Sequence, residues 1–328
     1  MIRASDFAAL TTELQDIFSE ASADSISESK GMSIFDVSET ELLDFKKQVL
    51  HGVSGIEEVA DGADLPKVGG EEGDSITYTQ RYFGAIVEIT KKLRKFDRYD
   101  EIRDLVESIT QDAWDKVDQS LADVLLNGWA TSYTDVYNKV ISSVGPDGLA
   151  LFSAAHTYGN GSAKTYSNII SDGTNTNPAL SRAALVNVIK TGRTFKDSNN
   201  LSRPIHFDTI VVPPSLEDLA LRIVNSKEIS GSSNYDPNML VRNRFKDRVV
   251  VWDRLEQTGQ GVSKAAHWFV YDSKRVKKSL VAKFAERPSL DAPEQVYDNK
   301  NWDYSIDYFY TTGLGLQKYV MGSKGDNS

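Results

Sequence analysis

DRYDEIRDLVESITQDAWDKVDQSLADVLLNGWA, residues 97–130, carries the clearest structural signal in the chain. Ile102, Leu105, Val106, Ile109, Ala113, Val117, Leu121, Val124 and Leu125 recur every three or four residues. That period predicts one long amphipathic helix with these side chains on its buried stripe. Asp97 or Asp100 can cap its start, and Gly128 lies near its end. Such a helix would run roughly 45 Å at 1.5 Å per residue, well beyond the average. Without a sustained heptad charge pattern it reads as a spine laid across a sheet, not as a coiled coil.

Upstream of the spine lies GIEEVADGADLPKVGGEEGD, residues 55–74, with five glycines, one proline and seven acids against Lys67 alone. This composition predicts a long hairpin tip or loop. It leads into Ile76–Thr90, where Phe83, Ala85, Val87 and Ile89 alternate with Gly84, Ile86, Glu88 and Thr90, the period of a strand. A two-stranded arm projecting from the body fits this pattern, and an excursion of that length needs a reason outside its own domain. Residues 1–50 hold ten acids against four bases, with amphipathic pieces such as Phe7, Leu10, Leu14 and Phe18. They read as an arm of one or two helices that buries little apolar surface unless it docks on something.

Downstream of the spine, Thr131–Pro178 is rich in turn residues. Ser181 then caps a helix carrying Ala184, Leu185, Val188 and Ile189, with Gly192 as its stop. HFDTIVVPPSLEDLALRIV, residues 206–224, reads as a strand followed by a helix capped by Ser215. With strands at Arg248–Trp252 and His267–Tyr271, residues 180–285 predict an α/β or α+β domain. Trp302, Tyr304, Ile306, Tyr308 and Tyr310 alternate with Asp303, Ser305, Asp307 and Phe309, a long strand with one buried face.

The 328 residues, 40% hydrophobic and 26% charged, belong to a folded chain. A net charge of −10 and a pI near 5.0 argue against a protein whose main business is wrapping nucleic acid. Cysteine is absent, so disulfides, thiolate nucleophiles and zinc ribbons are excluded. The N-terminus has no signal-peptide apolar run, and no stretch approaches 18 consecutive apolar residues, so no membrane span is expected.

Chemistry-bearing motifs are sparse. Gly-x-Ser-x-Gly does not occur. GNGSAKT, residues 159–165, lacks the spacing and the following helix of a phosphate loop, and Gly313-Leu-Gly315 lacks the third glycine of a dinucleotide site. His51, His156, His206 and His267 are scattered, none with metal-ligand spacing. No catalytic residue, metal or cofactor is assigned. A loop-borne hydrolase site around His156 and Ser162 stands as the alternative from a different functional class. Two basic clusters interrupt the acidic background: Lys91, Lys92, Arg94, Lys95 and Arg98, and Lys274, Arg275, Lys277, Lys278 and Lys283. They are either solvated faces or complements to an acidic segment of another copy, with Glu57, Glu58, Asp61, Asp64, Lys67, Glu71 and Glu72 set against Lys91, Lys92, Arg94 and Lys95 as candidate subunit contacts.

The acidic glycine-rich loop with TQRYFGAIVEITKKL (79–93), the RDLVESITQDAWDKVDQSLADVLLNG helix (103–128), GLALFSAAHTYGNG (148–161) and WDYSIDYFYTTGLGLQKYVMG (302–322) stand in a fixed order. That order resembles the major capsid (head) proteins of tailed bacteriophages, the Hong Kong 97-type fold, most closely the Mu-like branch. The resemblance implies an α+β subunit with an N-terminal arm at 1–50 and an extended loop with flanking strands at 51–96. It further implies a peripheral domain at 97–178 with the spine helix at 97–130, an axial domain at 179–290, and a return strand at 291–328. It implies hexamers and pentamers tiling an icosahedral shell around packaged double-stranded DNA. Portal and decoration proteins would be partners, the virion its location, and the bacterial host's cytoplasm its place of assembly. Because the chain starts at Met1 without a long leader, a separate scaffolding protein is expected. Lys67 sits in the loop that carries an isopeptide lysine in some members, but no cross-link is assigned to it. A cellular nanocompartment shell of the same fold is the near alternative.

Overall fold

The computed structural model describes residues 4–50, 56, 58–59, 61, 64–65, 72–96, 99–158, 165–197, 201–226, 238, 240, 245, 247–296 and 298–327. The chain opens with helices α1 (Ala4–Glu28) and α2 (Lys30–Ile34) and strands β1 (Asp36–Glu39) and β2 (Asp44–Leu50). Strands β3 (Glu72–Thr79) and β4 (Arg81–Ile89) lead to α3 (Lys91–Lys95) and the long α4 (Tyr99–Leu126). Short strands β5 (Ser132–Thr134), β6 (Val140–Ser142), β7 (His156–Thr157) and β8 (Thr165–Tyr166) follow, then α5 (Arg182–Thr194) and β9 (Thr209–Val212). The remainder is α6 (Glu217–Asn225), β10 (Val249–Val251), β11 (Trp268–Tyr271), β12 (Leu280–Leu290), β13 (Glu294–Gln295), β14 (Trp302–Leu314) and β15 (Val320–Ser323). Two compact units result: residues 1–45, 79–121 and 282–312, and residues 46–78, 122–281 and 313–328.

In the first unit β14 is the centre of a five-stranded sheet ordered β1-β12-β14-β13, with β4 also paired to β14. The β4–β14 pairing is antiparallel from Trp302↔Ile89 to Tyr310↔Arg81. Tyr304, Ile306, Tyr308 and Tyr310 are buried, as their alternation predicts. Phe83 packs on Tyr308 and Tyr310 with ring centroids 5.4 and 4.9 Å apart, and Phe284 of β12 stacks on Tyr310 at 5.5 Å. Helix α4 lies on this aromatic face: Trp114 meets Phe284, and Tyr310 donates a hydrogen bond to Ser120 Oγ at 2.5 Å. The helix is 28 residues, about 42 Å.

The buried stripe of α4 differs from the sequence expectation at two positions, Leu105, which is exposed, and Ile109, which is only half-buried. Ile102, Val106, Ala113, Trp114, Val117 and Leu121 are buried, whereas Leu105 is 43% exposed. Successive helical residues lie about 100° apart around the axis, so Leu105 and Val106 point in different directions. Here Val106 takes the inward place. Thr110 completes the stripe without an unmet polar group, its hydroxyl donating to Val106 O at 2.7 Å.

The N-terminal segment docks on the same helix. Leu14, Ile34 and Phe35 are buried, Arg103 pairs with Glu13, and Ser29 caps α2 by accepting from Met32 N. Ser29 Oγ also donates to Asp118, whose Oδ1 accepts from Gly31 N at 3.1 Å. Gly31 is required by this approach, because a Cβ there would lie 2.8 Å from both Asp118 Oδ1 and Leu121 Cδ1.

The expected single strand over Ile76–Thr90 is two strands. β3 pairs with β2 in a two-stranded sheet, β4 pairs with β14, and Gln80 between them donates its backbone N–H to Leu43 O at 2.8 Å. Alternation identifies faces but not partners, so a change of partner at Gln80 leaves no mark on the pattern.

The second unit is built on a four-stranded sheet ordered β10-β9-β11-β15, with β9 and β10 parallel and the other neighbours antiparallel. Strands β9 and β11 are buried at every position, as strands covered on both faces must be. Leu185 and Val188 of α5 and Ala220 and Val224 of α6 belong to one core with Ile210, Val212, Trp268 and Val270. Ser181 caps α5 by accepting from Ala184 N at 3.2 Å. Gly192 does not stop this helix, which continues to Thr194. A Cβ at Gly192 would sit 2.6 Å from Ile205 O, so glycine is there for close packing. Nor does Ser215 cap α6: its hydroxyl lies 3.0 Å from Ala265 O and 3.1 Å from Glu256 Oε2, and α6 begins after a 3-10 turn at Pro214–Leu216.

Candidate assembly surfaces

Between residues 42 and 65 the chain presents large apolar side chains to solvent: Leu42, Leu43, Ile56 and Leu65 are 62 to 102% exposed. Tyr82 and Ile86 of β4 are exposed as well. The Tyr82 hydroxyl, hydrogen-bonded to Asp307 Oδ2 at 3.1 Å, is held above its ordinary pKa first by that bond and then by the Asp307 charge. The two-stranded β2–β3 sheet is anchored in the second unit by Tyr78. Its hydroxyl accepts from Leu314 N at 2.8 Å, and its ring fills the place a Cβ on Gly313 would need. Burial pushes the Tyr78 phenol up to about 12. Gly315 lies against Lys278 O, so Gly313-Leu-Gly315 serves close packing.

Of the predicted contact residues, Glu58, Asp61 and Asp64 are exposed, while Glu57, Lys67 and Glu71 lie outside the described residues. Glu72 begins β3, and its side chain too is outside the description. Lys91 and Lys92 are exposed on α3, which Thr90 caps. Arg94 and Lys95 belong to that helix, with side chains outside the description. The second basic cluster divides. Lys283 is partly buried and faces Asp36 at 3.7 Å, whereas Lys274, Arg275, Lys277 and Lys278 stand exposed around a 3-10 turn of the second unit. Arg203 and Lys318, remote in sequence, join them there. Burial first, then the charges of Arg275, Lys278 and Arg203, lower the Lys318 pKa against the opposing pull of Asp197.

His156 has a structural role. It is fully buried and stacked on Tyr166, with Nδ1 2.6 Å from Asp147 Oδ2 and Nε2 3.1 Å from Leu151 O. Asp147 Oδ1 accepts from Gln317 Nε2 at 2.9 Å and Leu149 N at 3.2 Å. Asn168 clamps the same loop, accepting from Ser153 N at 2.9 Å and donating to Leu151 O at 2.6 Å. Both ring nitrogens of His156 are thus engaged away from solvent, and Ser162 lies outside the described residues. The adjoining cleft, lined by Asp147, Tyr158, Tyr166, Gln317 and Lys318, offers about 30 Å³, room for little more than one water molecule. Among the described residues no helix is long and apolar enough to cross a membrane.

A spine helix on an aromatic-faced sheet, a second α/β unit, and exposed apolar side chains leading into a two-stranded excursion define a shell-forming subunit. The same fold is found in solved capsids. It is similar to bacteriophage PhiM1 mature capsid (14% identity, TM-score 0.52, covering 92% of this chain and 88% of that one). It is also similar to Gordonia phage Cozz (10% identity, TM-score 0.52, covering 90% and 86%) and to the capsid of Myoviridae Phage XM1 (10% identity, TM-score 0.50, covering 88% and 89%). No match is found among curated proteins. The phage capsid protein family matches over residues 72–319, about three quarters of the chain. The chain belongs to that family: it is a tailed-phage major capsid protein of the Hong Kong 97-type fold, a structural component of the virion.

Proposed function

We propose that this subunit closes into hexamers and pentamers that tile an icosahedral shell around packaged double-stranded DNA. The observation that carries the reading is the exposure of Leu42, Leu43, Ile56 and Leu65. Each such side chain contributes about 1.5–3 kcal/mol when fully covered, and cover from neighbouring copies repeats this gain across a shell before the costs of association. The four-part division expected from sequence, with an arm, an extended loop, a peripheral domain on the spine and an axial domain, belongs to the same proposal. So do the Mu-like affiliation, assembly in the bacterial cytoplasm, and a separate scaffolding protein, portal and decoration proteins as partners. The net charge of −10 suits a wall that confines DNA without gluing to it. Contact between the acidic 57–72 segment of one copy and Lys91, Lys92, Arg94 and Lys95 of another is supported by opposite charge. Charge reversal at those four bases is expected to weaken assembly, read by light scattering; undiminished assembly would refute that contact.

A further inference from the structure

A chain of net charge −10 that assembles in many copies meets net repulsion unless opposite charges fall into register between copies. Among its described residues the second unit carries a strongly basic surface. Lys274, Arg275, Lys277 and Lys278 are exposed around the 3-10 turn Val276–Lys278, and exposed Arg203 stands near them. Arg275 Nη1 reaches Pro204 O at 3.5 Å, and its guanidinium lies over the Tyr319 ring at 5.8 Å, with Lys318 Nζ 5.4 Å from the same ring. Two nearby acids are already engaged within the chain: Asp197 with Arg203 at 3.1 Å, and the buried Asp272 at 3.9 Å from Arg275.

The complementary surface is on α1. Asp16, Glu20, Asp24 and Glu28 succeed one another at i, i+4 and are all exposed, and the 25-residue helix contains neither Lys nor Arg. Like charges at that spacing destabilise an isolated helix, a cost that a facing row of cations offsets. The opposite face, through Leu14, is already committed to its own unit. This acidic row is therefore available to a neighbour.

We propose that the acidic face of α1 (Asp16, Glu20, Asp24) in one copy docks on the basic turn (Lys274, Lys277, Lys278) of a second copy. The contact rests on the shell reading and adds to it a named pair of surfaces that sets which copies meet and in what register.

The test uses the full chain in two variants. One carries Lys274→Glu, Lys277→Glu and Lys278→Glu; the other carries Asp16→Lys, Glu20→Lys and Asp24→Lys. All six residues are exposed and away from the cores, so circular dichroism should match wild type. Each variant alone should need a roughly tenfold higher concentration than wild type to assemble, read by light scattering and sedimentation. An equimolar mixture should restore assembly, because each reversed helix then finds a reversed turn on the other variant. Failure of the mixture to restore assembly, or wild-type assembly by either variant alone, overturns the contact. If a reversed variant does not fold, the Lys→Gln and Asp→Asn versions carry the same test, with weakened assembly expected and unchanged assembly refuting it. A wild-type protein that never assembles would instead overturn the shell reading, and this contact with it.

Discussion

Replacing Val106 by Asp should unfold the subunit, whereas the same change at Leu105, one residue earlier, should leave the fold nearly intact. Val106 is fully buried on the inward face of α4, and Leu105 is 43% exposed. Val106→Asp forfeits about 1.5–3 kcal/mol of apolar burial. It also places a carboxylate with no prepared partner in the core, at a cost of several kcal/mol more. The sum, about 5 kcal/mol or more, is comparable to the whole stability of a typical domain. Leu105→Asp at a half-open position should cost about 1 kcal/mol or less. Urea unfolding followed by tryptophan fluorescence and circular dichroism measures both. Equal destabilisation by the two changes, or a stable Val106→Asp protein, would refute the assignment of the inward face.

Gly31→Ala should cost about 1–3 kcal/mol, since the new methyl meets Asp118 Oδ1 and Leu121 at 2.8 Å, and denaturant midpoints will show it. Burial, followed by the charges of Lys264 and Lys324, holds the buried His267 ring at a pKa of about 4, against 6.5 ordinarily. Below pH 6.5 the unfolded chain takes up a proton that the fold refuses. Stability should therefore be full above that pH and fall towards pH 4 by at most about 3 kcal/mol, less where water reaches the ring. His267→Phe should remove that part of the pH dependence of the unfolding free energy, and an unchanged profile would discount the ring. Deleting 57–71 should leave the circular dichroism spectrum of a folded subunit while suppressing particle formation. Normal shells from that deletion would remove the segment from assembly.

What sequence revealed and what it concealed follow from the range of each interaction. The periodicities of α4 and β14 are local and strong, and both elements stand where the spacing of their apolar residues puts them. Leu105 was not separable from Val106, because adjacent apolar residues satisfy the same helical count and only the facing sheet decides between them. Ser215 and Gly192 carry the local signature of a cap and a stop. A contact with Ala265 and Glu256, and the approach of Ile205 O, redirect them. The distinctive string GLALFSAAH was visible, but its role was not: Asn168 reaches Leu151 O from beyond the string, and Gln317, far along the chain, holds the Asp147 carboxylate that engages His156. The basic surface likewise gathers Arg203 and Lys318 to Lys274–Lys278 across long sequence separations. Exposure of Leu42, Leu43, Ile56 and Leu65 could be read only from the structure, where no described residue covers them.

The central claim, that this chain is the repeating unit of a shell, is tested most directly by electron microscopy of the purified full-length protein at increasing concentration. Closed particles or capsomer rings whose density is accounted for by copies of this subunit are the predicted result. A protein that stays a uniform monomer or dimer at high concentration, with or without co-expressed phage assembly proteins, would contradict it.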